Sequence, residues 1–259
     1  MHPVLFEVGG TVISSYGAML VLGFVCGWWL SSLEFRRKGL NANLLEVFLA
    51  AAMIGGMGGA KLMYIFENIP LTAFLDNPFG YMFSRGGLTY YGGLLGAAGL
   101  FGVTAWATKV NFFAVADAAS PGTALAYAIA RVGCFLVGDD YGHPTELPWA
   151  LAFPEGSPPT LEKVHPTQIY EIVLMVSVFL ILWRLRLQPR QNGWLFGALL
   201  ILGGLERFLV EFLRVTTPSP VPHISVAQLI SVAGIALGII LVARASHREE
   251  QKSAKVGII

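Results

Sequence analysis

The chain alternates long apolar runs with short polar segments. Seven of these runs approach or exceed the ~20 residues that a helix needs to cross the hydrocarbon core of a bilayer. They cover residues 13–33, 44–66, 87–107, 112–137, 166–183, 193–213 and 224–243. The pattern therefore predicts an all-α polytopic membrane protein with seven transmembrane helices.

Composition supports this class. Of the 259 residues, 55% are hydrophobic and 13% are charged, whereas soluble domains average about 25% charged residues. We expect one integral-membrane domain over residues 1–259. Cys26 and Cys134 both lie in apolar runs and have neither the pattern of a disulfide framework nor metal-ligand spacing. The sequence therefore gives no reason to expect a metal or another cofactor.

The basic residues predict the orientation. Eleven of the 17 lysines and arginines follow the first, third, fifth and seventh runs, and they are Arg36, Arg37, Lys38, Lys109, Arg184, Arg186, Arg190, Arg244, Arg248, Lys252 and Lys255. Loops rich in Lys and Arg stay in the cytoplasm. The N-terminus is therefore predicted outside, and residues 245–259 form a cytoplasmic tail.

The remaining basic residues collect on the opposite side of the predicted membrane. They are Lys61, Arg85, Arg131, Lys163, Arg207 and Arg214. Such a cluster suggests an anionic headgroup or phosphate ligand, although Arg85 and Lys163 are equally explained as solvated loop charges. The two longer outer loops, 67–86 and 138–165, are rich in aromatic residues and are expected to lie in the membrane interface. Function is therefore expected on the outer face.

The segment from Arg131 to Gly142 ends the fourth run. An arginine at mid-bilayer costs roughly 2.5–3.5 kcal/mol on insertion scales, so such residues usually face a polar cavity. We interpret Arg131 as a membrane-buried anion ligand, and Asp139 and Asp140 as residues of the aqueous rim. A structural ion pair between helices explains the same pattern equally well.

The sixth run ends in a second charged motif. Arg207, Glu211 and Arg214 are spaced i, i+4 and i+7, which places them on one helix face. An Arg207–Glu211 ion pair would orient the arginine, whose planar guanidinium suits a phosphate. The alternative is a salt bridge that fixes the sixth helix to the fourth.

Other runs carry weaker polar features. Tyr90 and Tyr91 begin the third run and indicate either an interfacial aromatic belt or phenols directed at the cavity of Arg131. Glycines four residues apart favour close helix packing, and these pairs are Gly23/Gly27, Gly55/Gly59, Gly92/Gly96 and Gly234/Gly238.

The fifth run begins with His165, Gln168 and Glu171 at three-residue spacing, which predicts that these side chains lie near one another. Glu171 also suits the positive end of a helix dipole. Tyr16 is a further polar residue near the start of the first run.

Taken together, these motifs resemble those of the prolipoprotein diacylglyceryl transferases. The matching segments are Gly-Gly-Leu-Thr-Tyr-Tyr-Gly-Gly at 86–93, the pattern Arg131, Gly133, Phe135, Gly138 and Gly142, His-Pro-Thr-Gln-Ile-Tyr-Glu at 165–171, and Glu-Arg-Phe-Leu-Val-Glu-Phe-Leu-Arg at 206–214. The resemblance covers nearly the whole chain in order. It also implies seven spans with the N-terminus outside, as the charge pattern predicts independently.

The resemblance implies a reaction at the bacterial cytoplasmic (inner) membrane, with the active site toward the outer leaflet. The diacylglyceryl group of phosphatidylglycerol moves to the lipobox cysteine of a prolipoprotein signal peptide, and glycerol phosphate leaves. Arg131 and Arg207 would correspond to the two essential arginines of the family, and Tyr16 to an important tyrosine. Asp139 stands where the family usually has glutamate, and Gly142 closes its motif.

Three positions depart from the family pattern. Cys134 replaces a common asparagine, Gly203 a tyrosine of some members, and Tyr91 the histidine proposed as general base. The base is therefore open among Tyr91, Asp139 and His165. The departures also support an alternative, a family paralogue that binds anionic phospholipid but modifies a different acceptor or none.

We therefore predict a catalytic set and a binding set. In the catalytic set, arginines stabilise the charge that grows on the leaving phosphate, while the thiolate, the nucleophilic form of the thiol, attacks carbon. The catalytic set is Arg131, Arg207, Tyr91 and Asp139. The substrate-binding set is Tyr16, Tyr90, Gly142, His165, Glu211, Arg214 and Lys61.

Other functional classes fit less well. A retinal protein needs a lysine in its last span, and 224–243 contains none. A transporter often has inverted repeats, and no repeat is visible here. The net charge of +1 gives no indication of nucleic-acid binding.

Overall fold

The computed structural model describes residues 2–8, 11–84, 87–215 and 224–256. Within these ranges the helices are α1 Ser15–Arg37, α2 Ala42–Asn68, α3 Leu71–Asp76, α4 Pro78–Phe83, α5 Tyr90–Ala107, α6 Phe112–Val137, α7 Thr167–Leu185, α8 Trp194–Val210 and α9 Val226–Val256. The strands are β1 Val4–Val8, β2 Thr11–Ser14, β3 Leu151–Phe153 and β4 Thr160–Val164.

The helices confirm a polytopic membrane protein. In the described part of the chain, five helices are long and apolar enough to cross a membrane: α1, α2, α6, α7 and residues 226–247 of α9. The other two predicted runs coincide with the shorter helices α5 and α8. Helix α9 continues to Val256, so the predicted tail begins as a helix.

Two antiparallel hairpins were not predicted. Strands β1 and β2 pair before α1, and β3 and β4 pair within the predicted outer loop 138–165. Predicted loop 67–86 contains α3 and α4. Each of these elements is short, and so the pattern of long apolar runs does not reveal them.

Residues 1–34 and 116–259 form one compact unit. Its core lies between α6, α7 and α8 and contains Ala124, Ala128, Met175, Val178, Leu182, Leu195 and Ala198. Helix α8 packs on α9 at Gly197, where an added Cβ would lie 2.9 Å from the carbonyl oxygen of Gly238. The prediction of close packing is wrong for Gly234, around which a Cβ would meet nothing within 4 Å.

The same unit fixes the start of α8 through a buried carboxylate. Asp117 of α6 accepts backbone hydrogen bonds from Gly193 at 2.9 Å and Phe196 at 2.8 Å. The first amide groups of a helix have no partner within the helix, and Asp117 satisfies two of them. This contact sets the position of α8 along α6 and hence the height of the residues at its other end.

Residues 35–115 form the second unit. Helices α2 and α5 approach so closely that a Cβ on Gly55 or Gly59 would overlap the carbonyl oxygens of Gly96 or Gly92. The predicted close packing at these two glycine pairs is therefore confirmed. Only glycine lets two helix backbones come this near.

Candidate active site

Three arginines converge on the carboxylate of Glu171. This residue lies in the second turn of α7 and has no solvent exposure. Its carboxylate contacts Nε of Arg131 at 2.7 Å, and Nη1 of Arg207 and Nη1 of Arg214 at 3.5 Å each. The arginines come from α6, α8 and the turn that follows α8, so one buried carboxylate links three segments of the chain.

Asp140 forms a second bridge on the more exposed side of the cluster. Its carboxylate contacts Nη1 of Arg131 and Nη2 of Arg214, both at 2.7 Å, while 41% of its side chain is exposed. Burial acts to raise the pKa of the Asp140 carboxyl, but the guanidinium groups of Arg214 and Arg131 outweigh it and hold that pKa below its usual range. The predicted position of Asp140 at the rim agrees with this partial exposure.

The end of α8 carries the ion pair that the spacing predicts. Nη2 of Arg207 contacts Glu211 at 2.6 Å, and Nε of Arg214 lies 3.9 Å from the same carboxylate. Arg207 has the most exposed side chain of the three arginines, at 26% against 14% and 11%. The link between the sixth and fourth runs passes through Glu171 of the fifth run, which contacts both Arg207 and Arg131.

Residues of α6 hold the guanidinium of Arg131 in place. The hydroxyl of Tyr127, one turn earlier, accepts hydrogen bonds from Nε at 3.2 Å and Nη2 at 3.0 Å. Nη1 lies 3.6 Å from Sγ of Cys134. These contacts use the i−4 and i+3 positions of one helix, so the side chain is oriented by its own helix as well as by Glu171 and Asp140.

Tyr16 and Gly142 lie close to this cluster along the backbone. A Cβ on Gly133 would stand 3.1 Å from Cα of Tyr16. The start of α1 therefore lies beside the helical turn of α6 that follows Arg131. Gly142 forms an antiparallel bridge with Arg214, and a Cβ there would overlap the carbonyl oxygen of Leu213. Glycine is therefore required where the loop after α6 meets the chain beyond α8.

The side chains at the start of α7 have separate partners. Gln168 donates to the backbone carbonyl of Asp139, Nδ1 of His165 lies 3.3 Å from the hydroxyl of Tyr170, and Glu171 meets the arginines. Each of the three side chains that the spacing places near one another therefore has a different partner. The ion pairs of Glu171 with the arginines explain its position better than the helix dipole does.

Asp139 has one carboxylate oxygen without a donor among the described residues, Oδ1. Burial raises the pKa of this carboxyl, and the neighbouring carboxylate of Asp140 adds to the effect, while Cys134 and Arg131 act to lower it. The net result is a stronger proton acceptor than an exposed aspartate. This property fits its place among the predicted base candidates.

The remaining predicted residues belong to the second unit. Lys61 is buried, and its ammonium donates to the carbonyl and the hydroxyl of Ser84 at 3.0 Å and 2.8 Å. Tyr91 is half-buried in the first turn of α5. The side chain of Tyr90 and the whole of Arg85 lie outside the described residues.

Sequence reasoning missed four contributors to the cluster: Tyr127, Glu171 as its centre, Asp140 as a bridge, and Glu206. A charged residue within an apolar run is by itself a functional candidate. This signal, which identifies Arg131, also applies to Glu171 and Glu206. The Tyr127 contact follows only from the i−4 spacing to Arg131.

One group of side chains could in principle hold a metal. Ligand atoms of Cys134, Asp139 and Asp140 lie within 4.8 Å of one another. Asp140 is already bridged by two guanidinium groups, whose positive charge opposes a cation at this position.

Comparison with known proteins places the chain in a sequence family. Residues 3–244 match the model of the prolipoprotein diacylglyceryl transferase family. The phosphatidylglycerol–prolipoprotein diacylglyceryl transferase of Clostridium tetani is 35% identical over 92% of this chain and 96% of that protein. Its namesakes from Vibrio parahaemolyticus and Salmonella arizonae are 34% and 33% identical, over 96% of this chain and 92% and 95% of those proteins.

Proposed function

Because the chain belongs to the prolipoprotein diacylglyceryl transferase family, we propose that it transfers the diacylglyceryl group of phosphatidylglycerol to the lipobox cysteine of prolipoproteins and releases glycerol phosphate. The observation that carries this proposal is the convergence of Arg131 and Arg207 on Glu171. The relatives bear the name of this activity, which favours it over a paralogue with a different acceptor.

The lipid phosphate binds to Arg131 and Arg207, with Arg214 beside them. Asp140 supports this assignment, since its carboxylate already sits between two of these arginines and faces the exposed side. In the reaction the sulfur–carbon bond forms as the carbon–oxygen bond breaks. The glycerol phosphate leaves with the electron pair, and guanidinium groups stabilise the charge that develops on its oxygens.

The thiol proton passes to a base, for which Asp139, Tyr91 and His165 remain the candidates. The free carboxylate oxygen of Asp139 and its raised pKa support Asp139. His165 is less available because its ring contacts Tyr170.

The other predicted residues complete the binding site in this proposal. Tyr16 and Gly142 border the arginine cluster, and Glu211 and Arg214 orient Arg207. The assignments of Lys61 and Tyr90 to substrate binding stay predictions from the sequence.

We further propose that α1, α2 and α5 to α9 cross the bacterial inner membrane, with the N-terminus and the active site outside and the C-terminus in the cytoplasm. At 1.5 Å per residue, helices of the length of α5 and α8 span about 25 Å, which approaches the hydrocarbon thickness. The basic residues after the odd-numbered spans support this orientation. Residues 67–86 and 138–165 then form the outer interfacial loops of one transferase domain.

Complementation tests the proposed activity. The chain is expressed in cells depleted of their own transferase, and lipoprotein maturation is measured together with transfer from phosphatidylglycerol in membranes. Wild type restores growth, whereas Arg131→Ala and Arg207→Ala each reduce transfer by at least about 100-fold, the scale of losing one charge-stabilising donor. Lys163→Ala, an exposed lysine of the outer loop, is the matched control.

Two results contradict the proposal. Transfer that persists in both arginine variants contradicts the assignment of the lipid phosphate to Arg131 and Arg207. A wild-type chain that reaches the membrane at normal levels yet restores neither growth nor transfer supports the paralogue instead.

A further inference from the structure

A fourth carboxylate beside the arginines is not used by the chemistry above. Glu206 precedes Arg207 on α8, is 5% exposed, and its Oε1 accepts no hydrogen bond from any described residue. By contrast Asp140, Glu171 and Glu211 each contact an arginine nitrogen at 2.6–2.7 Å. A buried acceptor without a donor is costly and is commonly explained by a functional role.

The surroundings of Glu206 supply charge but no hydrogen-bond donor to Oε1. The charged groups that act on it are Glu171, Arg207, Arg131 and Arg214. The hydroxyl of Tyr127, which accepts two hydrogen bonds from Arg131, is not a partner of Oε1. A ligand that enters the cluster can supply the donor that Oε1 lacks.

Oε1 of Gln168 is a second buried acceptor near the cluster without a donor in the described part of the chain. A phosphate cannot satisfy either acceptor, because its ionised oxygens only accept hydrogen bonds. The ligand must bring donors in addition to its anionic group.

We propose that Glu206 determines headgroup specificity: its Oε1 accepts a hydrogen bond from a hydroxyl of the headgroup glycerol while Arg131 and Arg207 hold the phosphate. This inference rests on the proposed function. The headgroup is bonded directly to the phosphate, and Glu206 lies within electrostatic range of Arg207, Arg131 and Arg214, so its side chain is in position to contact it. A hydroxyl is the fitting donor, because the headgroup of phosphatidylglycerol carries hydroxyls and no cationic group.

The reaction geometry separates Glu206 from the thiol. In the displacement the sulfur approaches carbon from the side opposite the departing phosphate oxygen. Groups next to the arginines therefore face the phosphate and its headgroup, and the thiol lies beyond the reacting carbon. This arrangement makes Glu206 a specificity residue and leaves the base to other side chains.

The test compares two lipids that differ only in headgroup hydroxyls, phosphatidylglycerol and phosphatidyl-1-propanol with the same acyl chains. The ratio of their kcat/KM values is measured with a prolipoprotein peptide in detergent micelles. A hydrogen bond to a charged group corresponds to about a 10–100-fold preference of wild type for phosphatidylglycerol. In Glu206→Leu we expect a ratio close to one, because kcat/KM falls for phosphatidylglycerol alone.

Glu206→Gln separates the hydrogen bond from the charge. Its amide oxygen still accepts a hydrogen bond, so the preference persists within about threefold, the usual context dependence of such a contact. Leu209→Ala, an exposed residue of the same helix, keeps the wild-type ratio. Thermal unfolding in detergent identifies any variant that does not fold.

Three outcomes overturn the proposal. The first is a wild-type enzyme without preference between the lipids, and this result is informative even if Glu206→Leu does not fold. The second is an unchanged ratio in folded Glu206→Leu. The third is an equal loss of kcat/KM on both lipids in that variant. Absence of transfer from wild type with either lipid contradicts the proposed function instead, so the two failures are distinguishable.

Discussion

Glu171 and Asp140 neutralise the same arginines under very different conditions. Glu171 has no exposed surface, whereas Asp140 is partly open to solvent. Removing one partner of a buried ion pair costs about 3–5 kcal/mol because the other charge stays uncompensated. A partly exposed partner contributes less, since water screens its charge. Glu171 is therefore the more important of the two for stability, and in the proposed function Asp140 is the carboxylate that the lipid phosphate can replace.

Asp140→Asn tests this distinction through pH. The pKa of Asp140 is lowered in the folded protein, so its stabilisation is present above the unfolded pKa of about 3.9 and is lost as pH falls through the folded pKa. At pH 7 we expect the variant to unfold about 1 kcal/mol more easily, after discounting for exposure. The difference shrinks below about pH 4. Thermal unfolding in detergent at several pH values measures it.

Glu162→Gln is the matched control for charge removal in the same loop between α6 and α7, because Glu162 is exposed. A stability difference between wild type and Asp140→Asn that stays constant down to pH 3 contradicts the role of the Asp140 ion pairs.

The site could be predicted from the sequence only in part. Arg131, Arg207 and Glu211 stand out because charges within apolar runs are costly and because the i, i+4 spacing fixes their relation within one helix. The partners Glu171 and Asp140 are 40 and 9 residues from Arg131, and no helical period connects those distances. Contacts between separate elements depend on tertiary packing, which spacing along the chain does not encode.

At the scale of elements, hydropathy located the helices well. Each predicted run coincides with a helix, since twenty apolar residues have few other stable arrangements. The hairpins were missed because their strands are only three to five residues long. Glycine spacing identified the contact between α2 and α5, but it did not distinguish Gly234 from Gly238, because both are on α9 and only the neighbouring helix decides which one is covered.

Two adjacent glycines of α2 provide a test of helix packing. A Cβ on Gly59 would stand 2.8 Å from Cα of Gly96 and overlap the carbonyl oxygen of Gly92, whereas a Cβ on Gly58 meets nothing within 4 Å. Gly59→Ala should therefore destabilise the protein by about 1–3 kcal/mol through overpacking, and Gly58→Ala should leave stability unchanged or slightly higher. The thermal unfolding midpoints of the two variants are compared in one detergent. Equal midpoints contradict the close approach of α2 and α5.

At the scale of the whole molecule, the proposed orientation rests on eleven basic residues placed on one side. Alkaline phosphatase folds only outside the cytoplasm, so fusions report the side of each loop. We expect active fusions after Asp76 and Glu155, and inactive ones after Lys109, Gln188 and the C-terminus. Fluorescence of a green fluorescent protein fused to the C-terminus is the complementary readout. An active phosphatase at the C-terminus contradicts seven spans with the N-terminus outside.

The bridge between Gly142 and Arg214 joins two stretches that are remote in sequence. His143 also donates to the carbonyl of Leu213 at 2.8 Å, so main-chain hydrogen bonds join the loop after α6 to the residues that follow α8. A graft of this loop from a relative would succeed only when both bonded stretches are transplanted together. A protease that cleaves the chain near Gly142 would abolish transfer although every transmembrane helix stays intact.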